Sequence, residues 1–206
     1  METSDVISMF PSLVWKIQLQ ADLRDALDAQ ILATLVGARR GLPPLGAGQG
    51  WQSERTLHQR EELQGLVACI DRAARGILRF WRIGYDAIEI TGCWATVLGP
   101  GAMHKLHSHP NNFLSGVYYV STGPGSDTIN FHDPRAQARV IRPPVLELTA
   151  GNTDQVVVQV ANGTLLLFPS WLEHSVDANE SGQERVSISF NLMFSAFTEH
   201  LSQPLW

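Results

Sequence analysis

Cysteine is scarce in this chain, and its cysteines do not have the spacing of a zinc site or a redox pair. The two cysteines among 206 residues are Cys69 and Cys93, and both lie in apolar stretches. Cysteines in such surroundings are typically reduced and buried. A secreted protein held together by disulfides is therefore not expected, and the sequence favours a cytoplasmic location.

An excess of basic residues and long apolar runs are also missing. The formal net charge is -5, so nothing draws the chain as a whole to a phosphate backbone. No stretch reaches the apolar length of a transmembrane helix, and residues 1–5 lack the basic start of a signal peptide. We expect neither nucleic acid nor a membrane as a partner.

The signatures of three large enzyme classes are absent. The sequence contains no serine-centred nucleophile elbow, no phosphate-binding glycine loop and no dinucleotide fingerprint. Residues 99–101 and 123–125 both read Gly-Pro-Gly, which indicates turns rather than phosphate cradles. Any chemistry must therefore come from other residue types.

Hydrophobic periodicity predicts two helices near the start of the chain. A hydrophobic share of 44% with 17% charged residues is typical of a soluble globular protein. A short extended segment is expected within residues 8–20. Apolar residues spaced by three and four then predict helices from Asp22 to near Gly37 and from Glu61 to near Phe80. Residues 40–59, rich in glycine and proline, predict a loop between them.

After Gly84 the period falls to two, which is typical of strands. The predicted strands are Ile88 to Leu98, Lys105 to His109, Leu114 to Val120, Thr128 to Phe131, Leu146 to Leu148, Val156 to Val160, Thr164 to Phe168 and Arg185 to Phe194. Helices followed by short strands predict a mainly β fold, an antiparallel barrel or double-sheet jelly roll. We expect a single domain over residues 1–206, with an N-terminal strand and helical part at 1–84 packed on a jelly-roll core at 85–206.

Three of the seven histidines fall within residues 101–110. On a strand, His107 and His109 point to the same face. A jelly roll can bring His174 beside them from a later strand, and three neutral imidazoles bind iron, zinc, copper or nickel while leaving coordination positions open. We favour this metal site over three unrelated, hydrogen-bonded histidines.

Two neighbouring residues bear on the ligand set. His104 lies an odd number of positions from His107 and His109, so a regular strand would turn it to the other face. Asp133, beside His132, could supply the carboxylate of a two-histidine, one-carboxylate triad. The more ordinary role for that pair is to cap the turn before Pro134.

The last predicted strand has one polar face. Its period of two places four polar residues together, Arg185, Ser187, Ser189 and Asn191. An arginine with a serine two residues later presents a planar fork and a hydroxyl to one carboxylate. A solvated outer face with Arg185 in an ion pair is an equal alternative on these residues alone.

Aromatic residues are expected to complete the pocket wall. Trp94 is a candidate, and one of Tyr118 and Tyr119 must face inward on its strand, where a phenol could hydrogen-bond a ligand. Gly116, two residues before, would allow a close approach of the backbone. We predict Tyr118, Tyr119, Trp94 and Asn191 as pocket-lining residues.

Several motifs together resemble a small group of 2OG-Fe(II) oxygenases in the Fe(II)/2-oxoglutarate-dependent dioxygenase superfamily. They are Gly50-Trp51-Gln52-Ser53, His107-Ser108-His109-Pro110, Leu114-Ser115-Gly116-Val117-Tyr118-Tyr119-Val120, Phe131-His132-Asp133-Pro134-Arg135, Phe168-Pro169-Ser170-Trp171-Leu172-Glu173-His174 and Arg185-Val186-Ser187-Ile188-Ser189-Phe190-Asn191. A weaker, cupin-like similarity lies in the spacing of Gly101 to His107 and of Gly163 to His174.

The resemblance implies a double-stranded β-helix that binds Fe(II) through an early His-x-Asp/Glu pair and a late histidine, with 2-oxoglutarate held by a basic residue beyond it. His107 matches the first ligand and His174 the last, while Arg185 with Ser187 matches the cosubstrate clamp. His109 stands where most of the superfamily has its carboxylate. The triad is therefore expected to be His107, His109 and His174, with Asp133 as the alternative third ligand.

The implied activity is hydroxylation of an unknown small-molecule or peptide substrate, coupled to decarboxylation of 2-oxoglutarate to succinate. Two alternatives stay open: a cupin-like three-histidine metal dioxygenase or isomerase that does not use 2-oxoglutarate, and a non-catalytic jelly roll that binds a metabolite. An exposed sheet edge and the apolar end Leu205-Trp206 make a homodimer plausible.

Overall fold

The computed structural model describes residues 5–84, 87–135, 137 and 140–195. Its helices and strands are β1 (Trp15–Gln18), α1 (Ala21–Ala38), β2 (Gly50–Gln52), α2 (Gln64–Phe80), β3 (Ile88–Leu98), β4 (His104–His107), β5 (Leu114–Ser121), β6 (Thr128–His132), β7 (Gln155–Gln159), β8 (Thr164–Pro169), β9 (His174–Val176) and β10 (Arg185–Phe194). Two short 3₁₀ turns, Leu57–Gln59 and Glu61–Leu63, precede α2.

Two antiparallel sheets form the body of the protein. The larger sheet has the strand order β1-β8-β5-β10-β3-β2, and the smaller has the order β4-β9-β6-β7. Neighbours in both sheets come from distant parts of the chain, as in a jelly roll. The predicted mainly β, double-stranded β-helix fold is confirmed.

The outer face of the large sheet packs against the helices. In α2, residues Leu66, Ile70, Ala74 and Ile77 recur at three- and four-residue spacing and are all buried. They join the helix-side core with the alternate residues of β10, which are Val186, Ile188, Phe190 and Leu192. Each fully buried apolar side chain contributes about 1.5–3 kcal/mol, so this face alone accounts for much of the fold's stability.

The inner face of the large sheet packs against the small sheet. The inter-sheet core contains Val117, Tyr119, Ile129, Phe131 and Phe168. Strand β10 therefore separates two environments: its apolar residues face the helices, and its polar residues face the space between the sheets. This arrangement favours the pocket-lining interpretation of the polar face over a solvated one.

One predicted strand does not form, and two short strands were not predicted. No strand forms at Leu146 to Leu148, where both leucines are exposed, because the described residues offer them no strand partner. Strands β2 and β9 were missed. Each has only three residues, too few to show a period, and β2 interrupts the predicted loop at 40–59 by pairing with the edge of β3.

No helix in the described part of the chain is long and apolar enough to cross a membrane. The residues that suggested a homodimer, Leu205 and Trp206, lie outside the described residues.

Gly116 allows three central strands to pack closely. An added Cβ would lie 2.3 Å from Phe190 Cζ and 2.4 Å from the Leu166 carbonyl oxygen, and the second contact is with backbone on β8. The expected close approach at this glycine is therefore real, and any side chain here must push strands apart.

We predict that Gly116→Ala lowers the free energy of unfolding by about 1–3 kcal/mol, the usual cost of overpacking a core. Denaturant unfolding measures it. Gly123→Ala is the matched control, because its Cβ would meet nothing within 4 Å and should cost less than about 0.5 kcal/mol. Equal losses in the two variants would contradict the close-packing explanation.

Candidate metal centre

Three histidines converge at one end of the space between the sheets. Strands β4 and β9 pair so that His107 lies directly opposite His174. His109 lies two residues beyond β4, where its backbone N–H donates to the Ser170 carbonyl at 2.9 Å. One ring nitrogen from each of the three histidines lies within 4.8 Å of the other two. This separation suits a single metal ion bound by all three.

Backbone carbonyls fix the orientation of two of these rings. His107 Nδ1–H donates to the Lys105 carbonyl at 2.7 Å, and His174 Nδ1–H donates to the Leu172 carbonyl at 2.9 Å. Because a carbonyl can only accept, Nδ1 must carry the proton in both rings. The lone pair is then on Nε2, which is the usual arrangement of a metal-binding histidine.

The electrostatics of the centre keep two of the imidazoles, those of His109 and His174, neutral. Burial lowers the pKa of His109 to about 4 and that of His174 to about 3, and the neighbouring histidines act in the same direction. Neutral imidazole is the form that binds metal. These two ligands can therefore accept a cation at neutral pH without first losing a proton.

Asp133 lies outside this group of three. Its carboxylate accepts hydrogen bonds from Arg135 Nε at 3.0 Å and Nη2 at 2.8 Å. His132 also points elsewhere, with Nε2 at 2.9 Å from Ser175 Oγ. Among the described residues, the donor set that the fold brings together is three histidines and no carboxylate.

His104 lines the same cavity, so the prediction that it faces away is wrong. Strand β4 carries a bulge: His104 pairs with Val176 and His107 with His174, which sets three steps on β4 against two on β9. The extra residue rotates His104 to the side of His107, and the two ring centroids are 6.1 Å apart. His104 is still not one of the converging ligands.

A cavity runs from the three histidines into the space between the sheets. Its wall includes Trp94, Gly116 and Tyr119 from the large sheet, with Ile129 and Val176 from the small one. The polar face of β10 contributes the remaining end through Arg185, Ser187 and Ser189. The described residues that line this cavity include no aspartate or glutamate.

Arg185 is a buried cation. Its side chain belongs to a residue only 2% exposed, and Nε–H donates to the Ser126 carbonyl at 2.9 Å. No carboxylate pairs with it among the described residues. Burial lowers the pKa of Arg185, yet a guanidinium keeps its proton in proteins. Its terminal N–H groups are therefore available to an anion that enters the cavity.

Tyr119 lies against this arginine. Its ring centre is 5.0 Å from Arg185 Cζ, and its buried hydroxyl has no hydrogen-bond partner among the described residues. Burial raises the pKa of Tyr119 to about 12, partly offset by the nearby charge, so the phenol keeps its proton. Ser187 lies opposite Tyr119 in the β10–β5 register. Together the three side chains can donate several hydrogen bonds to one anionic group.

The other two predicted wall residues do not line the cavity. Tyr118 points to the helix side, where its hydroxyl donates to Asp28 Oδ1 on α1 at 2.8 Å. Successive residues on a strand face opposite ways, so Tyr119 takes the inward position alone. Asn191 accepts a hydrogen bond from Ser115 Oγ at 2.8 Å, which uses its side chain within the sheet.

Sequence reasoning missed two residues near the cavity. Gln52 lines the cavity from β2; its motif was noted, but without a role. Arg55 places its guanidinium carbon 4.7 Å from the ring centre of Trp94, and Trp94 lies 6.0 Å from the His109 ring. Arg55 belongs to no periodic pattern, so the sequence carried no signal for it.

The chain matches one family model over residues 92–191, which span β3 to most of β10. That family is described as "Putative 2OG-Fe(II) oxygenase". The matched region includes all three converging histidines and Arg185. No curated protein matches the sequence.

Solved structures with the same fold cover most of the chain. A Pseudomonas putida prolyl-4-hydroxylase superposes with a TM-score of 0.61 at 19% identity, covering 89% of this chain and 94% of that one. The non-haem α-ketoglutarate-dependent carbocyclase SnoK from nogalamycin biosynthesis gives 0.64 at 18% identity, with 94% and 87% covered. HygX from Streptomyces hygroscopicus, solved with nickel and 2-oxoglutarate bound, gives 0.62 at 11% identity, with 90% and 84% covered.

At these identities the solved structures establish the fold, and the family match adds the chemistry. A three-histidine centre, an unpaired buried arginine in the same cavity and the matched family agree with one another. By this match, residues 92–191 form a 2OG-Fe(II) oxygenase domain.

Proposed function

We propose that the protein is an Fe(II)- and 2-oxoglutarate-dependent dioxygenase in which His107, His109 and His174 hold the metal, and Arg185 with Ser187 binds the cosubstrate. The observation that carries this proposal is the buried Arg185 guanidinium, which lacks a carboxylate partner among the described residues and shares a cavity with the three histidines. An unpaired buried charge is costly, and a bound carboxylate would remove that cost.

The histidines fit the metal. Their lone pairs converge, two of their tautomers are fixed by carbonyls, and imidazole suits Fe(II). Three protein ligands leave positions open for a chelating cosubstrate and for dioxygen. His109 serves as the third ligand in preference to Asp133, because the Asp133 carboxylate is held by Arg135.

The far end of the cavity fits the distal carboxylate of 2-oxoglutarate. Arg185 offers its terminal N–H groups, and the Tyr119 hydroxyl, which has no partner among the described residues, can donate as well. Ser187, which lies opposite Tyr119 in the β10–β5 register, adds a second hydroxyl donor. A planar guanidinium with flanking hydroxyls suits one carboxylate better than it suits a neutral group.

When bound, Fe(II) and 2-oxoglutarate together supply oxidation by dioxygen, with loss of carbon dioxide and formation of succinate. The chain's own part is to hold the metal in one geometry, to fix the direction of the cosubstrate through Arg185, and to exclude water. Val117, Ile129 and Val176 provide the apolar wall for that last task.

A small molecule is the proposed substrate class. SnoK comes from nogalamycin biosynthesis, and a further structure of HygX has hygromycin B bound. A peptide substrate is the alternative, since the Pseudomonas putida relative is a prolyl-4-hydroxylase. Free thiols at Cys69 and Cys93 support the proposed cytoplasmic location.

One observation favours a second candidate, a three-histidine metal dioxygenase that does not use 2-oxoglutarate. The converging donor set contains no carboxylate. Arg185 argues against this candidate, because such an enzyme has no need of a buried anion site so close to its metal.

Succinate formation separates the two candidates. The protein is incubated with Fe(II), ascorbate and 2-oxoglutarate, and succinate is quantified; in parallel, the melting temperature is measured with and without 2-oxoglutarate. The proposal expects succinate above the no-protein control and a raised melting temperature. If neither appears, the 2-oxoglutarate-dependent function is wrong.

The ligand set can be tested by metal titration. We predict that His109→Ala and His174→Ala each weaken metal binding by at least roughly 100-fold, since a direct ligand matters more than an outer partner. Asp133→Asn and the control His132→Ala should bind metal like the wild type. Loss in Asp133→Asn with retention in His109→Ala would show that a carboxylate completes the triad.

The clamp can be tested with Arg185→Gln. We predict a loss of about 2 kcal/mol or more in 2-oxoglutarate binding, which is about 30-fold in Kd, with metal affinity unchanged. Calorimetry measures both. The matched control is Arg39→Gln, which removes a partly buried arginine whose partner Glu184, at 2.7 Å, directly precedes Arg185 in sequence. Unchanged 2-oxoglutarate affinity in Arg185→Gln would contradict the proposal that Arg185 binds the cosubstrate.

A further inference from the structure

A second cation, Arg55, lies against a residue of the cavity wall. The Arg55 guanidinium carbon lies 4.7 Å from the centre of the Trp94 ring. Trp94 is nearly fully buried, lines the cavity and lies 6.0 Å from the His109 ring. Trp94 therefore lies close both to the Arg55 guanidinium and to one proposed metal ligand, His109, and Arg55 itself is exposed to solvent.

The backbone around Arg55 is fixed to the strand that carries Trp94. The Arg55 carbonyl accepts from Cys93 N–H at 2.8 Å. Two residues earlier, Ser53 N–H donates to the Ala95 carbonyl at 3.1 Å, and Ala95 N–H donates to Ser53 Oγ at 2.9 Å. These bonds hold the segment along β3 on both sides of Trp94. The position of Arg55 is thus set by the sheet rather than by a free loop.

No carboxylate neutralises Arg55 among the described residues. Its chain neighbour Glu54 pairs instead with Arg60, at 3.1 Å. Stacking on an indole fixes the plane of a guanidinium but leaves its edge free. That edge can still form the two parallel hydrogen bonds by which arginine binds a carboxylate.

The charge of the cavity favours an anion there. A divalent metal on three neutral histidines and the Arg185 cation bring three positive charges, whereas 2-oxoglutarate brings two negative ones. The described residues lining the cavity include no acid. A triad with a carboxylate would have balanced the remaining charge, but His109 occupies that place. With Arg55 counted as well, the site stays positive, so a negatively charged substrate is attracted and a cationic one is repelled.

We propose that the primary substrate carries a carboxylate group, and that Arg55, stacked on the cavity-lining Trp94, binds it. This inference rests on the proposed function, since it assigns the substrate class of the same site. A single guanidinium suits a single carboxylate, and the chain's net charge of -5 disfavours a polyanion by repulsion at longer range. The alternative is that Arg55 only covers Trp94.

The test uses pairs of probes in which charge is the main difference. The protein loaded with Zn(II) and 2-oxoglutarate is titrated with a panel of small monocarboxylic acids and their primary amides, and Kd is measured by calorimetry. The expected result is a set of acids that bind roughly tenfold or more tightly than the matching amides. That preference should disappear in Arg55→Gln and be partly kept in Arg55→Lys.

Arg79→Gln is the control, because it removes an exposed arginine at the end of α2, outside the residues that line the cavity, and it should keep the acid preference. Amides that bind as well as acids, no acid binding at all, or a preference that survives in Arg55→Gln would each overturn the proposal. Titration of 2-oxoglutarate into the Zn(II)-loaded wild type tests the proposed function separately from the role of Arg55. If 2-oxoglutarate does not bind, the proposed function is contradicted. The comparison of acids with amides tests only whether Arg55 binds the substrate carboxylate.

Discussion

The buried guanidinium of Arg185 is the constraint on which the site depends. It lies on β10, between β5 and β3 in the middle of the large sheet, and no carboxylate faces it among the described residues. An unpaired charge in that position is costly, and an anion bound in the same cavity would remove that cost. The partnerless Tyr119 hydroxyl beside it adds a second unmet hydrogen bond. Both demands are met by one carboxylate, and the three histidines provide a place for the other end of the same molecule.

The two helices allow the inner face of the large sheet to carry polar residues without loss of a hydrophobic core. Because α1 and α2 cover the outer face of the large sheet, the apolar residues of β10 have a core of their own, and the inner face is free to carry polar groups. Gly116 lets β5, β8 and β10 lie close together at that level. The small sheet then closes the cavity from the other side, and the β4–β9 pair presents His107 opposite His174. The outer face of the large sheet thus carries the hydrophobic core, and its inner face carries the residues of the proposed site.

Much of this could be predicted from the sequence, for identifiable reasons. Strand β10 is long and strictly alternating, so the two faces of Arg185 to Leu192 were readable, and α2 showed a clear three- and four-residue spacing. What failed depended on tertiary contacts. The bulge in β4 reversed the expected side of His104, the three-residue strands β2 and β9 were too short to show a period, and the exposed leucines at 146 and 148 found no strand partner. Tyr118 and Tyr119 could be separated only once the inward face of β5 was known. Arg55 reaches the site through a stacking contact that no local pattern encodes.

In the proposed site, the metal and 2-oxoglutarate bind in one cavity, and each stabilises the binding of the other. The most direct test is a calorimetric titration of 2-oxoglutarate into the wild-type protein with and without a bound divalent metal. Because the cosubstrate would contact the metal at one end and Arg185 at the other, the account predicts clearly tighter binding to the metal-loaded protein, and by linkage tighter metal binding in the presence of 2-oxoglutarate. Equal affinity in the two states, or no binding in either, would contradict it.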